Sequence, residues 1–464
     1  MSVLEQEILE GYKQTEVGVI PEDWELVNFG DIVKYIKGYP FKSSEYTDSG
    51  IRVVRVSDTS FTTIKNDNPI YVSESSYNKY KKWSLSDGDL IFTTVGSKPP
   101  MYDSLVGKAI LVEPHHKGFL LNQNAVLIKP KSNAENISNL LVNHFRTERY
   151  IDHIEQIYRG NANQASITLD GLFEFKIPLS KNQKEQTAIA NALSDVDALL
   201  TELEKLIAKK QAIKTATMQQ LLTGKTRLPQ FATYTEGEKQ GQPKGTKPSE
   251  LGEIPEDWDV RPIESVIKDL RGGAPFKPSD FTNAGVKVLP KGGVVRGGVL
   301  RVHEKDQQFC SKNWSLKYSK NCVDNRYTIV VLRDLVPSGP SIGLMVNIPT
   351  DEKYVLAQGV YGFIAEDEET SNYLIQYSNT TQYRKAANEI MVGSTQVHIT
   401  NGAFKALTVP LPPKEERGAI ATILSDMDNE IQTLEQRLAK TRQIKQGMMQ
   451  ELLTGRTRLP IDNE

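Results

Sequence analysis

The chain has 464 residues, of which 38% are hydrophobic and 25% are charged, and its formal net charge at pH 7 is −2. This length exceeds what one hydrophobic core usually supports, so two or more domains are expected. No uninterrupted apolar run indicates a membrane span, the acidic N-terminal stretch lacks the pattern of a secretory signal, and Cys310 and Cys322 lie outside any metal-binding or disulfide pattern. We expect a cytoplasmic protein.

The dominant feature of the sequence is an internal repeat. Residues 17–24 return as residues 251–258, and both copies contain Ile-Pro-Glu-Asp-Trp. Residues 221–229 return as residues 452–460, with Lys225 replaced by Arg456 as the one change. The repeat predicts a molecule with internal pseudo-two-fold symmetry.

Each half opens with a mixed, turn-rich region. Short β-type runs separated by Gly, Pro, Asn and Ser are typical of strands joined by loops, as at residues 51–56, 89–92, 125–128 and 328–332. Helical patterns follow near residues 137–156 and 371–389. The region therefore predicts a globular α+β domain in each half.

Each half closes with a long amphipathic helix. Apolar residues step by four and three along both helices, which is the pattern of a coiled-coil seam. In both helices the next apolar residue of the seam, Ile213 or Ile444, follows after a spacing of six residues. Gly224 and Gly455 occupy the position of a C-terminal cap glycine. The predicted helix-pairing residues are Ile189, Leu193, Val196, Leu200, Leu203 and Ile207 in the first helix, and Ile420, Leu424, Met427, Ile431, Leu434 and Leu438 in the second.

These patterns predict an α+β architecture of two globular α/β domains separated by two long antiparallel coiled-coil helices. The stretch between the halves is rich in Gly, Gln, Lys, Pro and Thr, which is typical of a linker. The predicted boundaries are an N-terminal segment 1–13, a first globular domain 14–180, a first long helix 181–226, a linker 227–247, a second globular domain 248–412, a second long helix 413–458 and a C-terminal tail 459–464.

Charge is unevenly distributed along this nearly neutral chain. Residues 268–333 contain 13 Lys and Arg against 5 Asp and Glu, a balance of +8, and residues 34–108 contain 11 against 8, a balance of +3. Such segregation can create a basic face that attracts nucleic acid, although ordinary solvated surface is the alternative.

Motifs for catalysis are weak. Asn68-Pro69-Ile70-Tyr71 lacks the second proline of the motif with which amino-group methyltransferases hold a base, and Gly224-Lys225-Thr226 lacks the upstream glycine of a phosphate-binding loop. The paired acids Asp195/Asp197 and Asp426/Asp428 fit solvated helix flanks better than metal ligands. We predict no catalytic residue and no metal site.

The ordered duplication of these motifs resembles the specificity subunits of Type I restriction–modification systems, over essentially the whole chain. The resemblance rests on Ile-Pro-Glu-Asp-Trp at the start of each globular domain, Ile-Pro-Leu at 177–179 and Val-Pro-Leu-Pro at 409–412 at their ends, and paired helices ending in Leu-Leu-Thr-Gly. It implies two target recognition domains that each bind one half of a bipartite, asymmetric DNA sequence.

The resemblance further implies partners and a division of labour. The chain would be non-catalytic and would direct adenine methylation and cleavage by two methyltransferase subunits and by restriction subunits, with S-adenosylmethionine, ATP and Mg on those partners. One alternative is a non-catalytic coiled-coil scaffold whose globular domains bind protein, and another is a fused enzyme with an unfamiliar site.

Aligning the halves indicates three pairs of candidate DNA-binding loops. Loop 1 comprises residues 37–43 and 271–277, and its shared Pro-Phe-Lys equally fits a plain turn anchored by Phe41 and Phe276. Loop 2 comprises residues 94–102 and 333–341, and loop 3 comprises 160–164 and 393–396, where Asn163 equally fits a turn cap. The predicted DNA-binding residues are Lys37, Lys42, Ser43, Ser97, Lys98, Tyr102, Asn161, Asn163, Arg271, Lys277, Arg296, Arg301, Arg333, Ser338, Ser341 and Ser394.

Overall fold

The computed structural model of the protein describes residues 10–132, 134, 136–161 and 164–460, without the side chains of Asn161 and Gln164. Two compact units emerge: unit 1 comprises residues 1–204 and 437–464, and unit 2 comprises residues 205–436. Each unit therefore combines one globular domain with a segment of both long helices. The division runs through the helices and not between the two halves of the sequence.

The strands are short and alternate with loops and single helical turns. Those of unit 1 are β1 (Tyr12–Thr15), β2 (Gly18–Pro21), β3 (Trp24–Asn28), β4 (Val33–Lys37), β5 (Tyr46–Thr47), β6 (Ile51–Val54), β7 (Ile70–Val72), β8 (Leu90–Thr93), β9 (Val95–Gly96), β10 (Ala109–Leu111), β11 (Leu120–Leu121), β12 (Ala125–Pro130), β13 (Arg159–Asn161), β14 (Gln164–Ser166) and β15 (Lys176–Ser180). Those of unit 2 are β16 (Thr246–Ser249), β17 (Gly252–Pro255), β18 (Asp259–Pro262), β19 (Ile267–Gly272), β20 (Phe281–Thr282), β21 (Val286–Leu289), β22 (Gln308–Cys310), β23 (Cys322–Val323), β24 (Thr328–Val331), β25 (Arg333–Asp334), β26 (Met345–Asn347), β27 (Tyr354–Leu356), β28 (Val360–Ala365), β29 (Val397–His398) and β30 (Thr408–Leu411).

The helices include two that contribute to both units, α5 (Gln183–Leu221) and α10 (Lys414–Leu452). The others are α1 (Tyr77–Tyr80), α2 (Ile137–His144), α3 (Glu148–Ile157) and α4 (Leu169–Phe173) in unit 1, and α6 (Lys312–Lys317), α7 (Glu368–Tyr377), α8 (Thr381–Glu389) and α9 (Asn401–Ala406) in unit 2. None of the helices in the described part of the chain combines the length and the hydropathy that a membrane crossing requires.

The four-stranded antiparallel sheets of the two units share one topology, whereas the mixed sheet has four strands in unit 1 and five in unit 2. Unit 1 has an antiparallel sheet in the order β10-β8-β12-β4, and unit 2 has β26-β24-β28-β19 in the same relation. A second, mixed sheet contains one parallel pair in each unit, β11 with β6 and β27 with β21. The internal repeat therefore extends from the repeated motifs to the strand order of two domains whose sequences diverge, and the predicted α+β class is confirmed.

The helical patterns near residues 137–156 and 371–389 each form two helices instead of one. A threonine interrupts each pattern: the Thr147 side chain accepts a hydrogen bond from the Tyr150 amide, and the Thr380 side chain accepts one from the Tyr383 amide. A threonine hydroxyl that accepts a backbone amide at a helix N-terminus favours the start of a new helix there.

Hydrophobic side chains from the sheets and helices fill a separate core in each unit. Phe29, Phe92 and Phe145 meet in unit 1 with ring centroids 4.6 to 5.3 Å apart. Leu452 and Leu453, from the end of the second half, are buried in the same core. Leu221 and Leu222, from the end of the first half, are buried in the core of unit 2.

The long helices run antiparallel within each unit. In unit 1, Arg442 pairs with Glu204 and Lys445 pairs with Asp197, so the residue number falls on one helix as it rises on the other. All twelve predicted helix-pairing residues are buried or half-buried. Ile213 and Ile444, after the six-residue jump in each seam, are 43% and 49% exposed.

The same antiparallel direction holds in unit 2, where Lys210 pairs with Glu430 and Lys214 pairs with Asp428. The Asp197–Lys445 and Asp428–Lys214 pairs occupy repeated positions, and the Lys445 and Lys214 side chains are both 11% exposed. Asp197 and Asp428 are therefore partners in interhelical ion pairs, which the expectation of solvated flanks missed.

The predicted linker, residues 227–247, is folded against unit 2. Thr233 and Pro243 form a bridge within the segment, and the Tyr234 hydroxyl donates a hydrogen bond to Glu256. Lys244 pairs with Asp257 at 2.8 Å. The composition predicted a linker, and these contacts attach the segment to the start of the second globular domain.

Candidate nucleic-acid interface

Loop 1 is anchored by aromatic rings in both units. Phe41 is buried, and its ring centroid lies 4.8 Å from that of Tyr80. Phe276 stacks on Trp314 with centroids 3.9 Å apart. The anchoring role that the sequence left open is thus present, and it holds a turn whose polar side chains are exposed, namely Lys37, Lys42, Ser43 and Lys277.

Arg271, also predicted in loop 1, is engaged within the protein. Its guanidinium donates to Asp269 and to the backbone oxygen of Cys322, and it lies 4.8 Å from the ring centre of Tyr327. The side chain is 30% exposed. Arg271 thus supports the loop from within the protein, and its contact with DNA stays a prediction.

Loops 2 and 3 are neighbours in each unit because short strands pair them. Ala165 of β14 is the partner of Gly96 in β9, and Arg333 of β25 is the partner of His398 in β29. In unit 1, a groove of about 610 Å³ lies between loop 1, loop 2 and the residues that follow loop 3. Its lining includes Lys37, Gly38, Thr94, Asn124 and Thr168. Asn161 contributes its backbone to β13, and Asn163 lies outside the described residues.

In unit 2, a buried carboxylate organises loop 2. Asp334 is 2% exposed and accepts hydrogen bonds from the amides of Val336 and Ser341, from the Ser341 hydroxyl and from Lys291 Nζ at 2.6 Å. Burial opposes its charged form, but the bonds from Lys291 and Ser341 outweigh burial and lower the pKa of Asp334 to about 2.

The far side of the same loop is held by a cation. The guanidinium of Arg384 on α8 donates to the backbone oxygens of Gly339, Pro340 and Ile342. The half-buried Ser341 closes the loop through Asp334, and its predicted contact with DNA stays untested. Arg333 and Ser338, also predicted, are exposed.

In unit 1, a buried ammonium group takes the organising role. Lys108 is 1% exposed, and its Nζ donates to the backbone oxygens of Thr59 and Asp103. Burial lowers its pKa to about 8. Ser97 is buried and accepts a hydrogen bond from the Ser104 hydroxyl, so it closes the loop, whereas Lys98 and Tyr102 are exposed.

A basic segment adjoins loop 2 in unit 2. This segment comprises residues 291–305. Its first residue, Lys291, binds Asp334 of loop 2. A groove of about 510 Å³ opens within the segment, lined by residues that include Gly292, Arg301 and Lys305. The predicted residues Arg296 and Arg301 are both exposed, as is Ser394 of loop 3.

Sequence reasoning missed a lysine-rich helical element beside loop 1 in each unit. In unit 2, Trp314 of α6 stacks on Phe276, and exposed Lys312 and Lys317 lie on the same helix. In unit 1, Trp83 donates to the backbone oxygen of Lys37 from the turn after α1, where Lys81 and Lys82 are exposed. Both elements combine Lys with Trp and Tyr in the sequence, and this shared composition could have identified them. The alignment of the two halves was used only to find loops, so it did not identify these helical elements.

The repeated motifs form one hydrogen-bonded constellation in unit 1, centred on the buried side chains of Trp24 and Glu185. Trp24 is 2% exposed, and its indole N–H donates to Glu185 at 3.1 Å. Arg458, from the end of the second half, donates to both carboxylate oxygens of Asp23 at 2.9 Å and also to Glu185. The start of the first half thus binds the end of the second.

Unit 2 contains the same constellation with the halves exchanged. Trp258 donates to Glu416 at 3.0 Å, and Arg227 donates to both Asp257 and Glu416. Gly224 at φ +70° faces Pro255, and Gly455 at φ +69° faces Pro21, each so closely that a Cβ would collide with the proline ring. In each unit, the repeated motifs at the start of one half of the sequence and at the end of the other bind one another.

Within the described part of the chain, no group of three or more His, Cys, Asp or Glu side chains is arranged to hold a metal ion.

Comparisons with known proteins agree with this duplicated arrangement. The family model described as Type I restriction modification DNA specificity domain matches residues 21–215 and 255–443. The Type I restriction enzyme MjaVIII specificity subunit of Methanocaldococcus jannaschii is 27% identical, over 97% of this chain and 96% of that protein. The putative type I restriction enzyme MjaX specificity subunit of the same organism is 28% identical, over 97% of each chain.

A solved structure is similar in fold. The crystal structure of the S subunit of a Type-I restriction-modification system from M. genitalium covers 92% of this chain and 96% of its own, with a TM-score of 0.58 and 14% sequence identity.

Proposed function

Since the chain belongs to the Type I restriction–modification DNA specificity family, we propose that it is a DNA specificity subunit that binds a bipartite, asymmetric target. The observation that carries this proposal is the duplicated cluster of loops 2 and 3 on an equivalent pair of strands in each unit. Equivalent positions on one topology indicate a common task, and different side chains indicate different half-sites.

The loops offer two kinds of contact. Exposed cations beside loops 1 and 2 would neutralise phosphates and fix the orientation of the duplex, which supplies affinity but little sequence information. We assign this role to Lys81 and Lys82 in unit 1 and to Lys312, Lys317 and Arg296 in unit 2, all of which are exposed. Base contacts would come from Lys98, Tyr102, Arg333, Ser338 and Ser394, also exposed.

In this proposal the chain has no catalytic role of its own. It directs two methyltransferase subunits to an adenine within the target and directs restriction subunits to the same complex. S-adenosylmethionine, ATP and Mg would bind those partners, and the complex would act in the cytoplasm.

Co-expression with a methyltransferase subunit encoded beside it, followed by mapping of methylated adenines across the host genome, tests the proposal. We expect one bipartite motif with a constant gap. Random or absent methylation by a stable complex would contradict it, and would favour the scaffold alternative.

A binding experiment separates DNA recognition from general interaction. We expect the affinity of the complex for a target duplex to fall steeply and log-linearly with salt concentration, because phosphate contacts release counterions. Salt-independent binding would contradict a DNA-reading interface.

A further inference from the structure

The outer part of loop 2 carries two consecutive large apolar side chains in each unit. Met101 and Tyr102 are 53% and 47% exposed in unit 1, and Leu335 and Val336 are 64% and 48% exposed in unit 2. We call these two pairs the apolar tips. The sequences of the two tips differ, but their positions are equivalent. In each unit, loop 2 contains a short strand, β9 or β25, that pairs with the strand next to loop 3, β14 or β29.

The apolar tips are held in their exposed positions. In unit 2, Asp334 binds the amides of Val336 and Ser341. In unit 1, Lys108 binds the backbone oxygen of Asp103, the residue that follows the tip, and Asp103 in turn accepts from the Phe61 amide. These bonds hold the backbone of each loop, and the Tyr102 ring also makes an edge contact with Phe61, with ring centroids 5.7 Å apart.

The charges beside the tips favour one class of partner. Lys98 precedes the first tip and Arg333 precedes the second, and both cations are exposed. In unit 2 the basic segment that begins at Lys291 is bonded to the same loop through Asp334. Apolar side chains flanked by cations complement a polyanion that also has apolar surface, which is the description of duplex DNA.

We propose that the apolar tips contact base surfaces in the DNA, and that each tip contributes to the sequence preference of its own unit. This inference rests on the proposed function, which already includes Tyr102, and adds apolar contacts from Met101, Leu335 and Val336. DNA offers two such surfaces: the thymine methyl group in a groove, and the face of a base where a step is opened.

The test uses the full chain in complex with its methyltransferase and the target found by methylation mapping. The double variants Met101→Ser/Tyr102→Ser and Leu335→Ser/Val336→Ser remove one tip each. Leu199→Ser is the matched control, because Leu199 on α5 is 40% exposed and lies outside the three loops and the lysine-rich helical elements. Thermal unfolding of each variant checks that the fold is retained.

We expect each tip variant to lose about 5- to 100-fold in affinity for the target, the usual effect of one wrong base pair. Its methylation motif should relax in one half-site only, and a different half-site for each variant. Affinity for unrelated duplex should change little, and the control should behave as the wild type.

Two DNA probes identify the base surface. Uracil in place of thymine should reproduce the loss if a tip contacts a methyl group, and 2-aminopurine should fluoresce on binding if a tip enters an opened step. Unchanged motifs in both tip variants, or equal losses on target and unrelated DNA, would overturn the role of the tips while leaving the proposed function intact. Failure of the wild-type complex to bind any duplex would overturn both.

Discussion

Arg227 and Glu416 are 189 positions apart in the chain, yet Nη2 of the arginine lies 2.5 Å from Oε2 of the glutamate. Glu416 is 1% exposed at its side chain and also accepts the indole N–H of Trp258. The end of the first long helix segment is thereby tied to the beginning of the second. A buried carboxylate with two such donors is stable only while its cation is present.

Replacement Arg227→Met should therefore destabilise unit 2 strongly. The methionine retains much of the side-chain volume but leaves Glu416 without its cation, and breaking a buried pair in this way typically costs about 3–5 kcal/mol. Urea unfolding of the full chain, followed by hydrogen exchange in peptides of unit 2, measures the loss.

The neighbouring exposed cation gives the control for this change. Lys225→Met also removes one positive charge from the same helix end, but Lys225 is exposed. Equal effects of the two substitutions would show that the local charge, and not the Arg227–Glu416 contact, stabilises the unit.

A second pair of substitutions tests the interhelical ion pair in unit 2. Asp428 lies 2.5 Å from Lys214 and also accepts from Gln376, whereas Asp426, two positions earlier on α10, is exposed. Asp428→Asn should cost about 1–3 kcal/mol, because Lys214 then loses a charged acceptor in a partly buried site.

Asp426→Asn has the same chemistry and should change the free energy of unfolding by less than about 0.5 kcal/mol, as is usual for exposed positions. Chemical denaturation of both variants gives the comparison. An Asp428→Asn protein as stable as Asp426→Asn would show that the pair contributes nothing.

The contrast between these aspartates shows how far sequence alone can go. Periodic patterns predicted the strands at 51–56, 89–92, 125–128 and 328–332 and both long helices, because backbone geometry imposes those periods. Asp428 differs from Asp426 because it contacts Lys214 on the other long helix. Lys214 is distant in the sequence, so no local pattern around Asp428 predicts this contact.

The repeated motifs present a related limit. Two copies of one motif are equally compatible with pairing inside a half and with pairing between halves. Arg458 of the second half contacts Asp23 of the first half. This pairing between halves depends on the path of the chain, which the sequences of the motifs do not determine. Likewise, residue type does not separate a loop serine that closes its loop from one that faces solvent, since Ser97 is buried and Ser338 is exposed.

Asp334 provides a prediction about the recognition loop itself. Asp334→Asn removes the charge that binds Lys291 and weakens acceptance from the Val336 and Ser341 amides. We expect faster hydrogen exchange in residues 335–341 and weaker binding of the target duplex, with a loss of stability of about 1–3 kcal/mol.

Asp259→Asn is the control for Asp334→Asn, since Asp259 is an exposed residue of β18 in the same unit and its substitution changes the net charge equally. If both variants bound the target with the same affinity and exchanged residues 335–341 at the wild-type rate, Asp334 would have no role in ordering the loop.

Acid should weaken unit 1 through two buried histidines. Burial lowers the pKa of His144 to about 3 and that of His116 to about 4, from 6.5. Between pH 6.5 and those values the unfolded chain binds protons that the folded unit does not, so stability falls as the pH falls. Each histidine contributes a slope of up to about 1.4 kcal/mol per pH unit.

His144→Phe removes one of these contributions. Its free energy of unfolding should fall by about 2–3 kcal/mol less than that of the wild type between pH 6.5 and 4.5, whatever the stability of the variant at neutral pH. Hydrogen exchange in peptides of α2 and α3 reports on unit 1 directly. His303→Phe, at an exposed position of unit 2, should retain the wild-type pH dependence in those peptides. Parallel acid profiles for the wild type and His144→Phe would mean that His144 becomes protonated without unfolding, and that its burial does not govern the acid stability of this unit.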